Sequence, residues 1–198
     1  MKKTKILTGL LTLSMISSTA MTTLNAQDNR SSFNNTMHEI ANYNTNAGAD
    51  GDGGVAEIVK YNKYNQTMYL VSGKTQSVHI VNLNNVNSNS NTTLEATKTV
   101  TLESIGINDA GDITSVDVSP DGKEIAIAIQ HKDYDKNGYI ARFDANGQLI
   151  NIHEAGIQPD MITYSPDGSL ILTANEGEPR QGYEAGTVDP KGSITALD

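Results

Sequence analysis

The sequence contains no cysteine and no tryptophan, and only 2 of its 198 residues are phenylalanine. The absence of cysteine excludes disulfide bonds, thiolate zinc sites, iron–sulfur clusters and a cysteine nucleophile. Aromatic residues make up 5% of the chain, which predicts a modest hydrophobic core. Apolar residues still reach 37% and charged residues 19%, so the composition is not that of a wholly disordered chain.

Positive charge is also scarce, because 14 Lys and Arg face 23 Asp and Glu, with a net charge of −9. Phosphate backbones and anionic membranes repel such a chain, so we expect no nucleic-acid partner. The sequence lacks a Gly-x-Ser-x-Gly elbow, a Walker loop and a His-Glu-x-x-His motif, and its four histidines have no ligand spacing. Whether the chain is an enzyme stays open at this point.

The N-terminal residues have the pattern of an export signal. Three lysines lie within residues 1–5, residues 6–24 are uncharged and mostly apolar or small, and small residues follow. We predict a signal peptide over residues 1–26, cleaved after Ala20 or Ala26, which lowers the net charge from −9 to −12. A membrane anchor is the alternative, but Thr and Ser interrupt the run and no stop-transfer pattern follows. The prediction is a bacterial protein that is secreted or bound to the cell wall or surface, without a transmembrane segment after cleavage.

Three polar segments separate the regions with a strand pattern. Residues 27–49 are rich in Asn, Ser, Thr and Asp and predict a flexible leader, with one short strand at 37–43. Residues 82–93 predict a long loop. The glycine-rich residues 50–54 lead into a strand rather than a helix, so they lack the helix N-terminus that cradles phosphate, and they predict a linker.

Elsewhere the chain alternates apolar and polar residues with a period of two, which predicts strands. The turn Ser-Pro-Asp-Gly occurs at 119–122 and again at 165–168, 46 residues apart. Pro presets the first turn dihedral, Asp bonds its own backbone and Gly takes a positive φ at little cost. Each turn therefore predicts a hairpin corner, and the polar residues at 62–66 predict a third. The predicted strands are 55–62, 67–72, 77–83, 97–103, 112–120, 123–130, 138–144, 148–153, 160–166, 169–175 and 192–198.

A repeating unit of 40–50 residues with four strands is typical of a β-propeller blade. We predict an all-β chain with about two and three-quarter four-stranded blades, like those of YVTN and WD40 proteins, over residues 50–105, 106–155 and 156–198. A β-sandwich with a coincidental turn repeat is the alternative. The strand pattern at 192–198 leaves an open sheet edge, which native proteins avoid. The expectation is the N-terminal part of a longer propeller or a truncated gene product.

Five segments of the sequence form a recognisable set. They are Gly-Val-Ala-Glu-Ile-Val-Lys-Tyr at 54–61, Pro-Asp-Met at 159–161, Ser-Pro-Asp-Gly at 165–168, Ala-Asn-Glu-Gly-Glu-Pro at 174–179 and Val-Asp-Pro-Lys-Gly-Ser at 188–193. This set resembles the choice-of-anchor I domain family, which consists of exported bacterial propellers. The resemblance covers residues 37–198 and matches the beginning of the family's domain. It implies an extracellular or wall-associated protein, similar also to mesenchyme-specific cell-surface glycoproteins. Full-length relatives sometimes carry an atypical alkaline phosphatase label, but the family supplies no agreed catalytic set. Residues 180–187 are longer than the family pattern.

Blade topology divides the loops between two rims. Loops that join the second and third strands of a blade, or one blade to the next, form what we call the upper rim; the other corners form the lower rim. The upper rim has a net charge of −5 and the lower rim of zero. The upper-rim residues are Asp109, Asp112, Asp133, Asp135, Glu154, Asp160, Glu176, Glu178, Glu184 and Asp189 against Lys74, Lys132, Lys136, Arg180 and Lys191. The lower-rim residues are Glu95, Asp121 and Asp167 against Lys63, Lys98 and Lys123.

Two upper-rim stretches are candidates for a hard cation, calcium before others, because oxygen is their only abundant ligand type. Asp133, Asp135 and Asn137 match the first half of a calcium loop, although the twelfth position is Asp144 rather than Glu and lies at the end of a strand rather than on a helix, which argues against an EF-hand. A polar turn is the alternative. The second candidate set is Asp160, Glu176, Glu178 and Asp189, for which a solvated acidic face is the alternative.

Two functional hypotheses follow from these residues. The first is an exported β-propeller module that acts by binding an unknown surface ligand. The second is a metal-dependent phosphoesterase acting on a phosphorylated small molecule, with the carboxylates of the second set holding the ion that polarises a phosphoryl oxygen. Its active site would need groups from further blades.

Overall fold

The computed structural model describes residues 37–48, 54–89 and 91–198. The predicted signal peptide, residues 27–36 of the predicted leader and most of the predicted linker lie outside the described residues. Within those ranges the secondary structure is almost entirely β, and the one helix is the 3-10 helix Glu103–Ile105. The strands are β1 Ala41–Tyr43, β2 Val59–Asn62, β3 Thr67–Ser72, β4 Ser77–Asn82, β5 Thr92–Leu94, β6 Lys98–Thr101, β7 Ala110–Val118, β8 Glu124–His131, β9 Asn137–Asp144, β10 Leu149–Ile157, β11 Pro159–Tyr164, β12 Ile171–Asn175 and β13 Ser193–Leu197.

Three antiparallel sheets follow one another along the chain. Strands β2, β3, β4 and β6 form blade 1, strands β7 to β10 form blade 2, and strands β11 to β13 form blade 3. Neighbours in each sheet are successive strands of the sequence, apart from the insertion of β5 before β6. The chain is therefore all-β with four-stranded blades of the β-propeller type, as the period-2 pattern and the turn repeat predict.

The predicted corners at 62–66, 119–122 and 165–168 all lie between strands, as expected. At the second corner, the hydroxyl of Ser119 donates to Oδ1 of Asp121 at 2.8 Å and accepts from the backbone N–H of Glu124 at 3.0 Å. The third corner repeats this network with Ser165 and Asp167. Gly122 has a φ of 73°, and a Cβ there would lie 2.3 Å from the Tyr64 ring, so this corner requires glycine for both conformation and space.

Two hydrophobic clusters join the blades. One side of blade 2 presents Ile125, Ile127 and Ile129 to blade 1, and these side chains are essentially inaccessible to solvent. The other side presents Ala126 and Ala128 to blade 3. Because alternate residues of a strand face opposite sides of the sheet, the single strand β8 contributes to both clusters. Blade 2 is consequently buried on both faces.

Outside the blades, β1 and β5 pair in parallel, with Ala41 opposite Thr92 and Tyr43 opposite Leu94. The predicted short strand at 37–43 is thus present in part. The prediction that 82–93 is wholly loop was wrong at its end, because β5 begins at Thr92 and the β-branched Thr92 and Thr93 suit an extended pairing. The hydroxyl of Tyr43 lies 2.6 Å from Nδ1 of His79 on β4, which ties this pair of strands to blade 1.

Three boundaries differ from the predicted strands by more than the usual fraying. The strand expected over 55–62 begins only at Val59, although the backbone groups of Glu57 and Ile58 still bond to Val71. The strand expected over 97–103 ends at Thr101, because the chain turns into the 3-10 helix and buries Leu102 and Ile107 beneath blade 1. The strand expected over 148–153 continues to Ile157 and carries register shifts against β9 after Leu149 and after Glu154. Such bulges allow a strand to continue past an irregular stretch of its partner.

Candidate functional site

Gln158 connects loops of the upper rim at the junction between blades 2 and 3. It lies between β10 and β11, is 2% exposed, and has a left-handed φ of 55°. Its Nε2 donates to the backbone carbonyls of Tyr134 at 2.9 Å and Glu178 at 2.7 Å. Its Oε1 accepts from the backbone N–H of Glu178 at 3.2 Å and from Nε of Arg180 at 3.1 Å. A buried amide is thus fully satisfied, and it fixes the start of the long loop after β12.

The loop held by Gln158 brings two of the four predicted metal ligands, Glu176 and Glu178, near a third, Asp160 on β11. The backbone N–H of Glu176 donates to the carbonyl of Gln158 at 2.9 Å. Partial burial raises the pKa of Glu176, and the negative charges of Asp160 and Glu178 raise it further. Arg180 opposes this effect, with Nη2 3.7 Å from Oε2 of Glu176.

Asp189, the fourth residue of that predicted set, is exposed farther along the same loop and adds no charge effect at Glu176. Within the described ranges, no three His, Asp or Glu side chains converge closely enough to form a metal-binding group. The calcium site at Asp160, Glu176, Glu178 and Asp189 therefore stays a prediction, now with its first three residues in one charge cluster.

Asp112, near the start of β7, extends this cluster toward blade 1. Its Oδ1 is buried and has no hydrogen-bond partner in the part of the chain that the structure describes. Burial raises the pKa of Asp112 and the charge of Asp160 adds to the rise, while the N–H of Ile113 and Arg180 oppose it. A Cβ on Gly73 would lie 1.8 Å from this oxygen, so glycine at 73 leaves the space that the carboxylate occupies.

A cleft of about 450 Å³ opens on the upper rim between blades 1 and 2. Arg180 connects the cleft to the cluster, because its guanidinium lies near both Glu176 and Asp112. The site thus combines carboxylates with one arginine whose donors are partly engaged by Gln158. The cleft is lined by Gly73, Gln76, Asp112, His131, Lys132 and Arg180, among other residues.

The second predicted stretch, with Asp133, Asp135 and Asn137, lies in the loop between β8 and β9. Oδ2 of Asp133 lies 2.7 Å from Nζ of Lys136, and Nδ2 of Asn137 donates to Oε1 of Glu154 at 2.5 Å. These two ligand candidates are therefore engaged by protein partners in this structure, as in a polar turn. Calcium binding here also stays a prediction.

His131 sits at the base of the same loop in a defined tautomer. Its Nδ1 accepts the backbone N–H of Asp133 at 2.8 Å, so Nε2 carries the hydrogen and points to Oδ2 of Asp109 at 3.2 Å. The hydroxyl of Tyr139 donates to the same oxygen at 3.0 Å. Burial opposes ionisation of Asp109, but the Tyr139 hydrogen bond and the His131 ring lower its pKa overall. This network braces the loop next to the cleft.

Sequence reasoning missed Gln158 and did not separate Asp112 from the other rim acids. No local signal marks Gln158, since its amide joins carbonyls that lie 24 and 20 residues away in the chain. The only available hint for Asp112 was its place directly after Gly111 at the start of a predicted strand. Burial of its Oδ1 depends on Gly73 in another blade.

These blades define a module of the β-propeller type. The family model of the Choice-of-anchor I domain matches residues 57–198, which is more than half of the chain. The chain therefore belongs to the choice-of-anchor I domain family. No helix among the described residues has the length and apolar character needed to cross a membrane.

Three solved structures are similar to this chain in part. Hydrazine synthase of Kuenenia stuttgartiensis is 18% identical, with a TM-score of 0.49 over 72% of this chain and 34% of that one. A candidate 6-phosphogluconolactonase of Bacteroides fragilis is 17% identical, with a TM-score of 0.49 over 72% and 42%. The Swd1 β-propeller domain of Myceliophteria thermophila is 10% identical, with a TM-score of 0.48 over 61% and 35%. The chain spans between a third and about two fifths of the length of these proteins. Among curated proteins, no significant match was found.

Proposed function

We propose that this chain is a module of an exported bacterial surface protein that works by binding, and that its upper rim takes up a divalent cation, calcium before others. The predicted signal peptide and the family support export. The composition supports an oxygen-ligated ion, since the chain has no cysteine and hard cations prefer oxygen ligands. The cation would lie at the cluster of Asp112, Asp160, Glu176 and Glu178.

The observation that carries this proposal is the excess of negative charge that the fold holds in place there. Raised pKa values at Glu176 and Asp112 mean that their charged forms are disfavoured by their surroundings. Arg180 lowers the pKa of both groups, but its effect does not offset the burial and the neighbouring carboxylates that raise them. A bound divalent ion would relieve this repulsion and order the loop that Gln158 begins to fix.

Calorimetric titration of the whole protein with calcium tests the proposal. The wild type should give a saturable heat, and Glu176→Gln/Glu178→Gln should weaken the affinity at least tenfold, on the order of 1.4 kcal/mol. Calcium at about a hundredfold excess over Kd should also raise the free energy of unfolding by roughly 2.7 kcal/mol. The matched control is Glu95→Gln/Glu103→Gln, which removes two exposed carboxylates on either side of β6 and should bind like the wild type.

Equal calcium affinity for the wild type and the Glu176→Gln/Glu178→Gln variant would contradict the proposed site. If Asp133→Asn/Asp135→Asn loses calcium affinity instead, the ion binds in the loop between β8 and β9. Either result is independent of whether the module has a surface partner.

The alternative function, a metal-dependent phosphoesterase, draws on one specific observation. Arg180 places a guanidinium beside carboxylates at an open cleft, and arginine is a preferred partner of phosphate groups. If this alternative holds, the whole protein should hydrolyse a phosphate monoester only with added calcium, and Arg180→Met should abolish turnover while calcium binding persists. Binding of calcium without turnover favours the non-catalytic module.

A further inference from the structure

A second cleft lies on the lower rim, away from the carboxylate cluster. It opens between the Ser-Pro-Asp-Gly corners of blades 2 and 3 and has a volume of about 430 Å³. Glu124 and Arg142 reach it from the face of blade 2 that packs on blade 3, and Tyr164 reaches it from β11. Tyr64, from the corner of blade 1, lines its edge with a largely exposed ring.

Glu124 and Arg142 form an ion pair that does not use all of their hydrogen-bond donors and acceptors. Nε and Nη2 of Arg142 both donate to Oε2 of Glu124, at 3.2 and 2.7 Å. The side chain of Arg142 is 24% exposed and that of Glu124 is 30% exposed, so the pair borders the cleft and is accessible from it. An arginine carries five N–H groups and a carboxylate two oxygens, so donors and an acceptor remain for a ligand.

The hydroxyl of Tyr164 is one of three buried side-chain polar atoms that make no well-formed hydrogen bond among the described residues. Tyr164 is 9% exposed, and the Arg142 guanidinium lies close enough to its Oη to interact with it without completing a hydrogen bond of good geometry. A buried hydroxyl without a well-formed hydrogen bond destabilises the folded state, so its presence calls for an explanation. Burial and the charge of Glu124 raise the pKa of Tyr164 and Arg142 opposes the rise, so the hydroxyl stays protonated and able to donate.

The corresponding junction between blades 1 and 2 shows that the fold does not require these polar groups. Tyr164 pairs with Ile171 directly before its corner, and Val118 pairs with Ile125 directly before the corner of blade 2. The position equivalent to Tyr164 is therefore Val118, which packs on the apolar cluster between blades 1 and 2.

The same comparison applies to Arg142. It lies two residues before Asp144, the partner of Glu124, just as Ile80 lies two residues before Asn82, the partner of Thr67. The equivalent of Arg142 is thus Ile80, a buried member of the apolar cluster. Arg142 and Tyr164 thus stand where the junction between blades 1 and 2 has apolar residues, and Glu124 stands where that junction has the uncharged Thr67.

The charges around the cleft restrict what it can bind. Asp121 and Asp167 also line it, and hydrogen bonds from their own corners lower the pKa of each to about 2, so both are anionic. Together with Glu124 they outnumber Arg142, which disfavours phosphate, sulfate and carboxylate ligands. The donors of Arg142 and Tyr164 disfavour a metal ion. A neutral molecule with several hydroxyl groups can both donate to the carboxylates and accept from these donors.

We propose that the lower-rim cleft between blades 2 and 3 binds a neutral, hydroxyl-rich ligand, the sugar units of a glycan, with the Tyr164 hydroxyl and the Glu124–Arg142 pair as its hydrogen-bonding groups. The exposed Tyr64 ring supplies an apolar surface at the edge. This site is separate from the upper rim and does not depend on calcium there.

The test is a titration of the whole protein with neutral oligosaccharides (chitobiose, cellobiose, maltotriose and mannobiose), followed by NMR or calorimetry, with inorganic sulfate as the anionic comparison. At least one saccharide should bind with a Kd in the millimolar range or below, and sulfate should not compete. Tyr164→Phe should weaken saccharide binding at least tenfold and leave the melting temperature unchanged or higher, because it removes a buried hydroxyl that makes no well-formed hydrogen bond.

Tyr69→Phe is the matched control, because its hydroxyl lies between blades 1 and 2 and donates to the carbonyl of Ala145 at 2.8 Å. This variant should have a lower melting temperature than the wild type and the same saccharide affinity. Arg142→Lys, which retains the charge without the guanidinium geometry, should also weaken binding. Calcium affinity should be unchanged in Tyr164→Phe and in Arg142→Lys.

The proposal is overturned if no saccharide binds at millimolar concentration, or if Tyr164→Phe binds as tightly as the wild type. It is also overturned if Tyr164→Phe lowers the melting temperature as much as Tyr69→Phe does, since the hydroxyl would then be satisfied within the protein. Preferential binding of sulfate would contradict the assigned ligand class.

Discussion

A single amide, that of Gln158, connects the turn between β10 and β11 with two other loops of the upper rim. Its four hydrogen bonds reach the loop after β8, through Tyr134, and the loop after β12, through Glu178 and Arg180. Because the side chain is buried, removing its polar atoms would leave backbone groups without partners in a place that water does not readily enter. At the scale of one residue, the upper-rim site therefore depends on the Gln158 amide, which serves only to position other groups.

Gln158→Met tests this role, since it keeps most of the side-chain volume while removing every hydrogen bond. We expect the free energy of unfolding, measured by urea denaturation, to fall by about 3 kcal/mol. The matched control is Gln148→Met on the exposed corner between β9 and β10, which should change it by less than about 0.5 kcal/mol. Similar losses from the two variants would mean that the Gln158 network contributes nothing specific.

The corners are the elements whose behaviour follows most directly from sequence chemistry. In each Ser-Pro-Asp-Gly turn the aspartate accepts the serine hydroxyl and the backbone N–H two residues ahead. The backbone N–H of Lys123 and the Ser119 hydroxyl lower the pKa of Asp121 to about 2. The Ser165 hydroxyl and the Ser169 N–H do the same for Asp167. These hydrogen bonds hold the hairpins closed at neutral pH.

A pH dependence follows from these two carboxylates. Their folded-state pKa values lie below the unfolded value of about 3.9, so their stabilisation is present above that pH and is lost as the pH falls toward about 2. We expect the melting temperature of Asp121→Asn/Asp167→Asn to fall less steeply between about pH 4 and about pH 2 than that of the wild type.

The control for this pH series is Asp189→Asn, which removes one exposed carboxylate outside the corners. The plot of its melting temperature against pH should have the same shape as that of the wild type. Parallel curves for the double corner variant and the wild type would show that the aspartates of the turns are not the source of the acid sensitivity.

At the scale of the whole molecule, blade 2 is the centre of the described chain. Residues 126–129 of β8 are inaccessible to solvent, and β8 and β9 pack between the two hydrophobic clusters. Strand β13 pairs on one side only, with β12, and most of its residues are exposed or half-exposed. Local opening is easiest where few buried contacts must be broken.

Hydrogen exchange followed by mass spectrometry should therefore show a gradient through the chain. Amides of β8 and β9 should exchange slowest, those of β3 and β4 next, and those of β13 and β1 fastest among the strands. The exposed loop at 180–187 is the internal reference for complete exchange. Protection of β13 equal to that of β8 would mean that blade 3 gains its stability from contacts other than those between the blades.

The amino-acid sequence by itself determined the class of fold, the corners and the family. Period-2 alternation and the Ser-Pro-Asp-Gly turns act over a few residues, so they can be interpreted without knowing where the chain goes next. The sequence also indicated that the acids lie mainly on one rim, because strand order assigns each loop to a side. It also grouped Glu176 and Glu178 with Asp160 as candidate metal ligands, since alternate residues of an extended chain share a side, and that grouping stays a prediction.

Only the tertiary structure decided which polar groups meet. The Gln158 amide, the buried Asp112 oxygen over Gly73 and the Tyr164 hydroxyl beside Arg142 each join residues some 20 to 40 positions apart, and no local pattern records such a distance. The parallel pairing of β1 with β5 spans about 50 residues in the same way. Their energies depend on how one blade packs against the next, because burial decides whether a polar atom finds water or must find a partner.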